Sequence, residues 1–143
     1  MKKKVAINGF GRIGRLVYRA FLERLNEFSN QYEISYINDL ADIDSNIHLL
    51  KYDTIHGPLN KEINKISNEQ FSIGKNTVTV TSERNPIDLK WKDKNVDIIL
   101  ECTGVFASKE KAMSHIESGA SKVIVSAPCS GADITVVQGV NNK

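Results

Sequence analysis

The residues with the most chemical potential in this 143-residue chain lie near its start, in NGFGRIGR, Asn8 to Arg15. Gly9, Gly11 and Gly14 give the spacing GxGxxG, which suits a turn whose backbone must come close to a phosphate. Glycine is ~7% of ordinary sequences, so chance gives this spacing in roughly one chain in twenty of this length. The motif therefore carries weight only when a strand precedes it and a helix follows. It also calls for an acidic residue after the second strand, to accept hydrogen bonds from a ribose. Asp39 stands at that point, after YIN. A carboxylate there repels a ribose 2′-phosphate, so the expected ligand is NAD rather than NADP.

The other reactive residue types form no constellation. His48, His56 and His115 have no Cys or Asp partner at a catalytic spacing and read as packing or surface residues. Cys102 lies in an apolar run and reads as core, and Cys129 as an ordinary, partly buried thiol. The pair is too widely spaced for a metal-binding motif and too few for a disulfide framework, so a reducing, cytoplasmic setting is expected. Lys109, Glu110 and Lys111 read as a solvated helix face.

The elements around the glycines have the required order. KVAIN, Lys4 to Asn8, is a short apolar run of the kind buried on both faces of a parallel sheet. Apolar residues from Ile13 to Leu25 recur at three- and four-residue spacing, which predicts a helix over Gly11 to Glu27. YEISYIND predicts a strand near Glu33 to Asn38. Strand, turn, helix and strand make a βαβ unit, whose crossover is right-handed and whose strands are parallel.

Further along, SNIHLLKYD predicts a short helix capped by Ser45 or Asp44 and broken at HGP. Two alternating runs around Gly74-Lys75-Asn76 predict a β-hairpin, which fits best at a sheet edge. VDIILEC predicts a buried strand from Val96 to Cys102. A helix follows, from a cap at Ser108 to a C′ glycine at Gly119. SKVIVSAP and ADITVVQGV each predict one more strand. The expected fold is a Rossmann-like, doubly wound α/β sheet, mainly parallel, with an inserted β-hairpin.

Composition agrees with one globular domain: 41% hydrophobic residues, 25% charged and a formal net charge of +2. Lys2 to Lys4 lead into no apolar run, so no signal peptide is expected. No segment approaches the ~20 apolar residues of a membrane span. Low charge without basic–aromatic interleaving argues against nucleic acid as a partner.

The blocks VAINGFGRIGR, NDL, HLLKYDTIHG, ECTGVF and VSAP, in this order, resemble the phosphorylating glyceraldehyde-3-phosphate dehydrogenase family. The resemblance covers essentially the whole chain, and GADITVVQGVN (Gly131 to Asn141) is similar to bacterial members. It implies pyrophosphate contacts at Arg12 and Ile13, largely through backbone N–H groups, beside Gly9, Gly11 and Gly14. It implies that Asn8 lines the cofactor, that Asp39 takes the ribose, and that Asn38 lies beside it. Arg84, in the block SER, would flank the adenine, and Phe106 would border its pocket. Thr103 and Gly104 would line the cofactor, with Ser126 beside the nicotinamide-side ribose.

The same resemblance implies a substrate and partners. They are a phosphorylated aldehyde and inorganic phosphate, in a homotetramer. The family's nucleophilic cysteine, in SCTTN, and its catalytic histidine and arginines would fall beyond Lys143. Residues 1–143 are thus expected to be the NAD-binding domain alone, without catalytic residues and without turnover. Where the family has HGRF this chain has HGPL, so Pro58 and Leu59 are expected to alter a subunit-facing loop. Erythrose-4-phosphate dehydrogenase, a sister family, shares INGFGRIGR, while NDL and SAP lean toward the first. A reading of another class is a non-catalytic module binding dinucleotide or adenine-containing RNA.

Overall fold

A computed structural model describes residues 1–143. The chain opens with β1 (Lys3–Asn8), α1 (Arg12–Glu23), a one-turn helix α2 (Leu25–Phe28) and β2 (Tyr32–Asn38). It continues with α3 (Ile43–Lys51) and the two-residue strands β3 (Tyr52–Asp53) and β4 (Gly57–Pro58). Next come β5 (Ile63–Lys65), β6 (Gln70–Ile73) and β7 (Asn76–Thr81). A 3₁₀ turn (Pro86–Leu89), α4 (Trp91–Lys94), β8 (Ile98–Glu101), α5 (Lys109–Glu117) and β9 (Lys122–Val125) complete it.

Seven strands form one sheet in the order β5-β6-β7-β2-β1-β8-β9. The pairs β7–β2, β2–β1, β1–β8 and β8–β9 are parallel, and β5–β6 and β6–β7 are antiparallel. The expected hairpin therefore exists at the sheet edge, extended by β5. The strand order reverses at β1: the chain first builds outward through β2 and later returns to add β8 on the other side. Such a switch opens a crevice at the carboxyl ends of the strands.

The pleat of β1 explains its apolar run. Val5 and Ile7 join Ile34, Ile37, Tyr18 and Leu22 in one core cluster. Ala6 faces the opposite way, into a second cluster with Leu89, Trp91, Val96 and Ile99. Side chains alternate across a strand, so a strand covered on both faces reads as continuously apolar.

Four expectations need correction. The predicted helix over Gly11 to Glu27 breaks at Arg24, whose N–H is shared between the carbonyls of Ala20 and Phe21. That tightens the last turn and redirects the chain toward β2. Asp42, not Ser45 or Asp44, caps α3: its carboxylate accepts from the Ser45 N–H and hydroxyl, each at 2.8 Å. Of Pro58 and Leu59, both expected to alter a subunit-facing loop, only Pro58 is exposed, and Leu59 turns inward. It is buried in the main core cluster, and its N–H bonds the Lys51 carbonyl. Finally, ADITVVQGV is not a strand. The Val140 and Asn141 N–H groups both turn back to the Val137 carbonyl, and the Asn141 and Asn142 side chains accept from Val137 and Gly139. Asn side chains offer the backbone these local bonds as an alternative to a ladder.

Arg19 was not anticipated. It is almost fully buried on α1, and its guanidinium donates to the carbonyls of Leu50, Lys51 and Gly57. It thus closes the C-terminal end of α3, where carbonyls lack helical partners, and ties that end to α1.

Candidate dinucleotide-binding site

The glycine turn lies at the carboxyl end of β1, inside the crevice. Gly9 has φ +90°, and a Cβ there would stand 2.7 Å from the Thr103 nitrogen. A Cβ on Gly14 would stand 2.1 Å from the Gly9 carbonyl oxygen, so only glycine lets α1 pack onto the turn. Gly11 differs. Apart from Gly11 itself and its chain neighbours, no protein atom lies within 4 Å of where its Cβ would be, so its face is open. Gly11 is also the N-cap of α1 and offers no side-chain cap. The N–H groups of Gly11, Arg12, Ile13 and Gly14 have no acceptor anywhere in the chain. Bare donors at the positive end of a 12-residue helix are a ready-made anion site.

Asp39 borders this head of the helix. Its Oδ2 accepts from the Phe10 N–H at 2.8 Å and its Oδ1 from the Ala41 N–H at 2.9 Å. These bonds hold the carboxylate at the end of β2 with its remaining lone pairs free. Arg12 and Ile13 are exposed. The Arg12 guanidinium donates to Asp53, the last residue of β3, at 3.0 Å. Bonds from the His56 N–H first, then from the His56 ring, the Ile55 N–H and Arg12, outweigh burial and hold the Asp53 carboxyl well below the usual range.

Asn8 and Asn38 lie beneath the site rather than on its surface. Both are buried, and the Asn38 side-chain Nδ2 donates to Asn8 Oδ1 at 2.7 Å. Asn38 also clamps the segment that carries Arg84: it donates to the Glu83 carbonyl and accepts from the Glu83 N–H, both at 2.8 Å. Arg84 is exposed at that rim. Thr103 and Gly104 are exposed at the end of β8, on the other wall of the crevice. Phe106 is half-buried, its ring centroid 6.1 Å from that of His115. Ser126 follows β9, exposed, and bonds through its N–H to the Glu101 carbonyl.

The strands thus bring the expected residues to one end of the sheet. Sequence reasoning missed Glu101, which is 1% exposed, and the part His115 plays beside it. A charged residue at the end of an apolar strand, two positions before the cofactor-lining Thr103, was the available signal. Cys102 packs against the core, as expected. Burial pushes its thiol pKa up, a Ser126 hydrogen bond partly offsets this, and the Glu101 charge raises it further, so it is a poor nucleophile. A separate cleft of about 680 Å³, lined by Lys2, Lys4, Glu33 and Asp97, lies at the amino ends of the strands, away from the switch-point crevice. No helix is long and apolar enough to cross a membrane.

A mainly parallel sheet with a glycine turn, a bare helix N-terminus and an acid after β2 defines a dinucleotide-binding α/β domain. Residues 3–109 match the family described as the glyceraldehyde 3-phosphate dehydrogenase NAD-binding domain. The chain belongs to that family. It is 47% identical over its whole length to a glyceraldehyde-3-phosphate dehydrogenase of Xanthobacter flavus, of which it covers 42%. It is 49% identical to the Thermotoga maritima enzyme of that name (96% of this chain, 40% of the relative) and 47% identical to the Geobacillus stearothermophilus one (99% and 40%). The chain therefore spans about two-fifths of the length of these relatives.

Proposed function

We propose that this chain seats NAD for an enzyme that oxidises and phosphorylates a phosphorylated aldehyde. The observation that carries this reading is the row of four partnerless N–H groups at the head of α1, beside the Asp39 carboxylate. The pyrophosphate fits the first, and the adenosine ribose hydroxyls fit the second. Gly11 supports the same reading, because its open face lets a phosphate approach the backbone. Arg84 and Phe106 would border the adenine, Thr103 and Gly104 the middle of the cofactor, and Ser126 the nicotinamide-side ribose.

In the whole enzyme NAD supplies the hydride acceptor, and the chain's own residues bind and orient it. Asp39 also selects. A second phosphate on the ribose would meet its charge at close range, where like charges cost more than 1 kcal/mol at an effective dielectric of about 20. The attacking thiolate, the base and the phosphate-binding groups are assigned to other parts of the whole protein, which we take to be a cytoplasmic homotetramer. The 143-residue chain alone is accordingly expected to show no turnover above a buffer control.

Calorimetric titration with NAD and NADP tests the reading. NAD should bind saturably, and NADP at least about tenfold more weakly. Equal affinities would remove the role given to Asp39, and no saturable binding of either would remove the seat itself.

A further inference from the structure

The polar side chains that end four neighbouring strands form one hydrogen-bonded row under the glycine turn. Register sets the row: Asn38 pairs with Thr81 and with Asn8, and Asn8 pairs with Glu101. All four continue the face that carries Ala6, Tyr36 and Ile99, because side chains repeat every second residue. The Thr81 hydroxyl donates to Asn38 Oδ1 at 2.9 Å, Asn38 Nδ2 to Asn8 Oδ1 at 2.7 Å, and Asn8 Nδ2 to Glu101 Oε2 at 2.6 Å. At the far end the Trp91 indole N–H donates to His115 Nδ1 at 3.1 Å. An indole nitrogen only donates, so Nδ1 accepts and the Nε2–H donates to Glu101 Oε2 at 2.8 Å.

Glu101 is the junction of this row. Its Oε2 accepts from Asn8 and His115, and its Oε1 from the Thr103 N–H and hydroxyl. No lysine or arginine pairs with it. Burial pushes its pKa up, but the bonds from His115, Thr103 and Asn8 outweigh burial and hold it below the ordinary value. The buried carboxylate is therefore ionised and accepts only, so each donor around it has one permitted direction. Two of those donors belong to Thr103, which touches the back of the turn at Gly9. Phe106 rests on the same imidazole that supports Glu101. The segment from Thr103 to Phe106 is thus tied at both ends to one buried pair.

We infer that Glu101 and His115 are positioning residues for the dinucleotide site: they hold the 103–106 wall of the crevice against the glycine turn without touching the ligand. This rests on the reading that the crevice seats a dinucleotide. The pair acts by direction, since losing His115 leaves the Trp91 donor unpaired and frees Glu101 to rotate. The conservative change His115→Gln can accept from Trp91 through its carbonyl and donate to Glu101 through its amide.

The test is amide hydrogen exchange together with NAD titration, on the 143-residue chain and its variants. In His115→Leu, exchange at the Thr103 amide should rise about tenfold and the NAD Kd about tenfold, the usual consequence of a buried donor left unpaired. Exchange at Ile7 and Ile37, in the strands, should not change. His115→Gln should recover both readouts. Glu101→Gln, which keeps the shape, should repeat the loss if His115→Leu fails to fold. Val78→Ala, a core truncation away from the site, should lower the unfolding midpoint and leave Kd and Thr103 exchange as they were. An unchanged Thr103 amide and Kd in both His115→Leu and Glu101→Gln overturn the inference, as does an equal response in Val78→Ala. Absent NAD binding by the wild-type chain overturns the proposed function instead. Thr103 exchange, which needs no ligand, then still decides whether the pair holds the wall.

Discussion

At the scale of single residues, two buried side-chain groups have nothing to bond, Arg15 Nε and the Tyr18 hydroxyl, and only the second lies in the core. The Tyr18 hydroxyl is fully buried between Phe10 and Phe71 and has no hydrogen-bond partner. Desolvation raises its pKa far above the ordinary phenol value. The consequence for stability has a definite sign. Up to about pH 10 the phenol is neutral in both folded and unfolded chains and contributes no pH dependence. Above that the unfolded chain ionises while the folded one does not, so stability falls as pH rises. Tyr18→Phe removes both effects. At pH 7 it should leave stability unchanged or raise it by about 1 kcal/mol, since an unsatisfied buried group is deleted. Urea midpoints at pH 7 and above pH 10 measure this: the variant should lose less stability than wild type across the interval. A loss of more than about 1 kcal/mol at pH 7 would mean that the hydroxyl has a partner after all.

At the scale of elements, the opening βαβ unit was legible because its signals repeat. Apolar periodicity, three glycines and an acid all specify the same turn, and each has one place in the fold. Asp42 and Arg24 were harder to read, because caps and breaks are decided by one or two local hydrogen bonds. The polar row was invisible for another reason. Asn8, Asn38 and Glu101 lie far apart in sequence and meet only through strand register. The stretch from Ala132 to Val140 was misread because a short apolar run looks the same whether or not a neighbouring strand pairs with it. The glycines now give a sharp element-level prediction. Gly11→Ala meets no protein atom beyond its own chain neighbours and keeps an ordinary φ of −72°. It should cost at most about 1 kcal/mol of stability, the price of a poorer N-cap. It should still weaken NAD about tenfold or more, because the methyl group stands where a phosphate would approach. Gly14→Ala should do the reverse. Its Cβ overlaps the Gly9 carbonyl, so about 3 kcal/mol or more of stability should go before binding is measured. Thermal unfolding with calorimetry separates the two variants, and parallel losses in both would break the assignment of Gly11 to the ligand.

At the scale of the molecule, both edge strands of the sheet, β5 and β9, have no strand paired to their outer side, and the β9 edge is the more apolar one. Ile124 on β9 is 55% exposed, and Ile134, Val136, Val137 and Val140 beyond it are more than half exposed as well. An open strand edge beside exposed apolar side chains is a template for pairing with another chain. A formal net charge of +2 supplies little repulsion to prevent it. The relatives are more than twice as long as the part matched here, so in them further chain is available to lie over such a face. The 143-residue chain by itself should therefore associate reversibly as concentration rises, read as a growing mean mass in sedimentation or light scattering. Ile124→Lys places a charge on the open edge, as natural edge strands do, and should lower that association. Because Ile124 is exposed, the urea midpoint of the variant should stay within about 0.5 kcal/mol of wild type. Wild-type chain that remains monomeric throughout, or a variant that associates as strongly, would show that this edge is not where the chains meet.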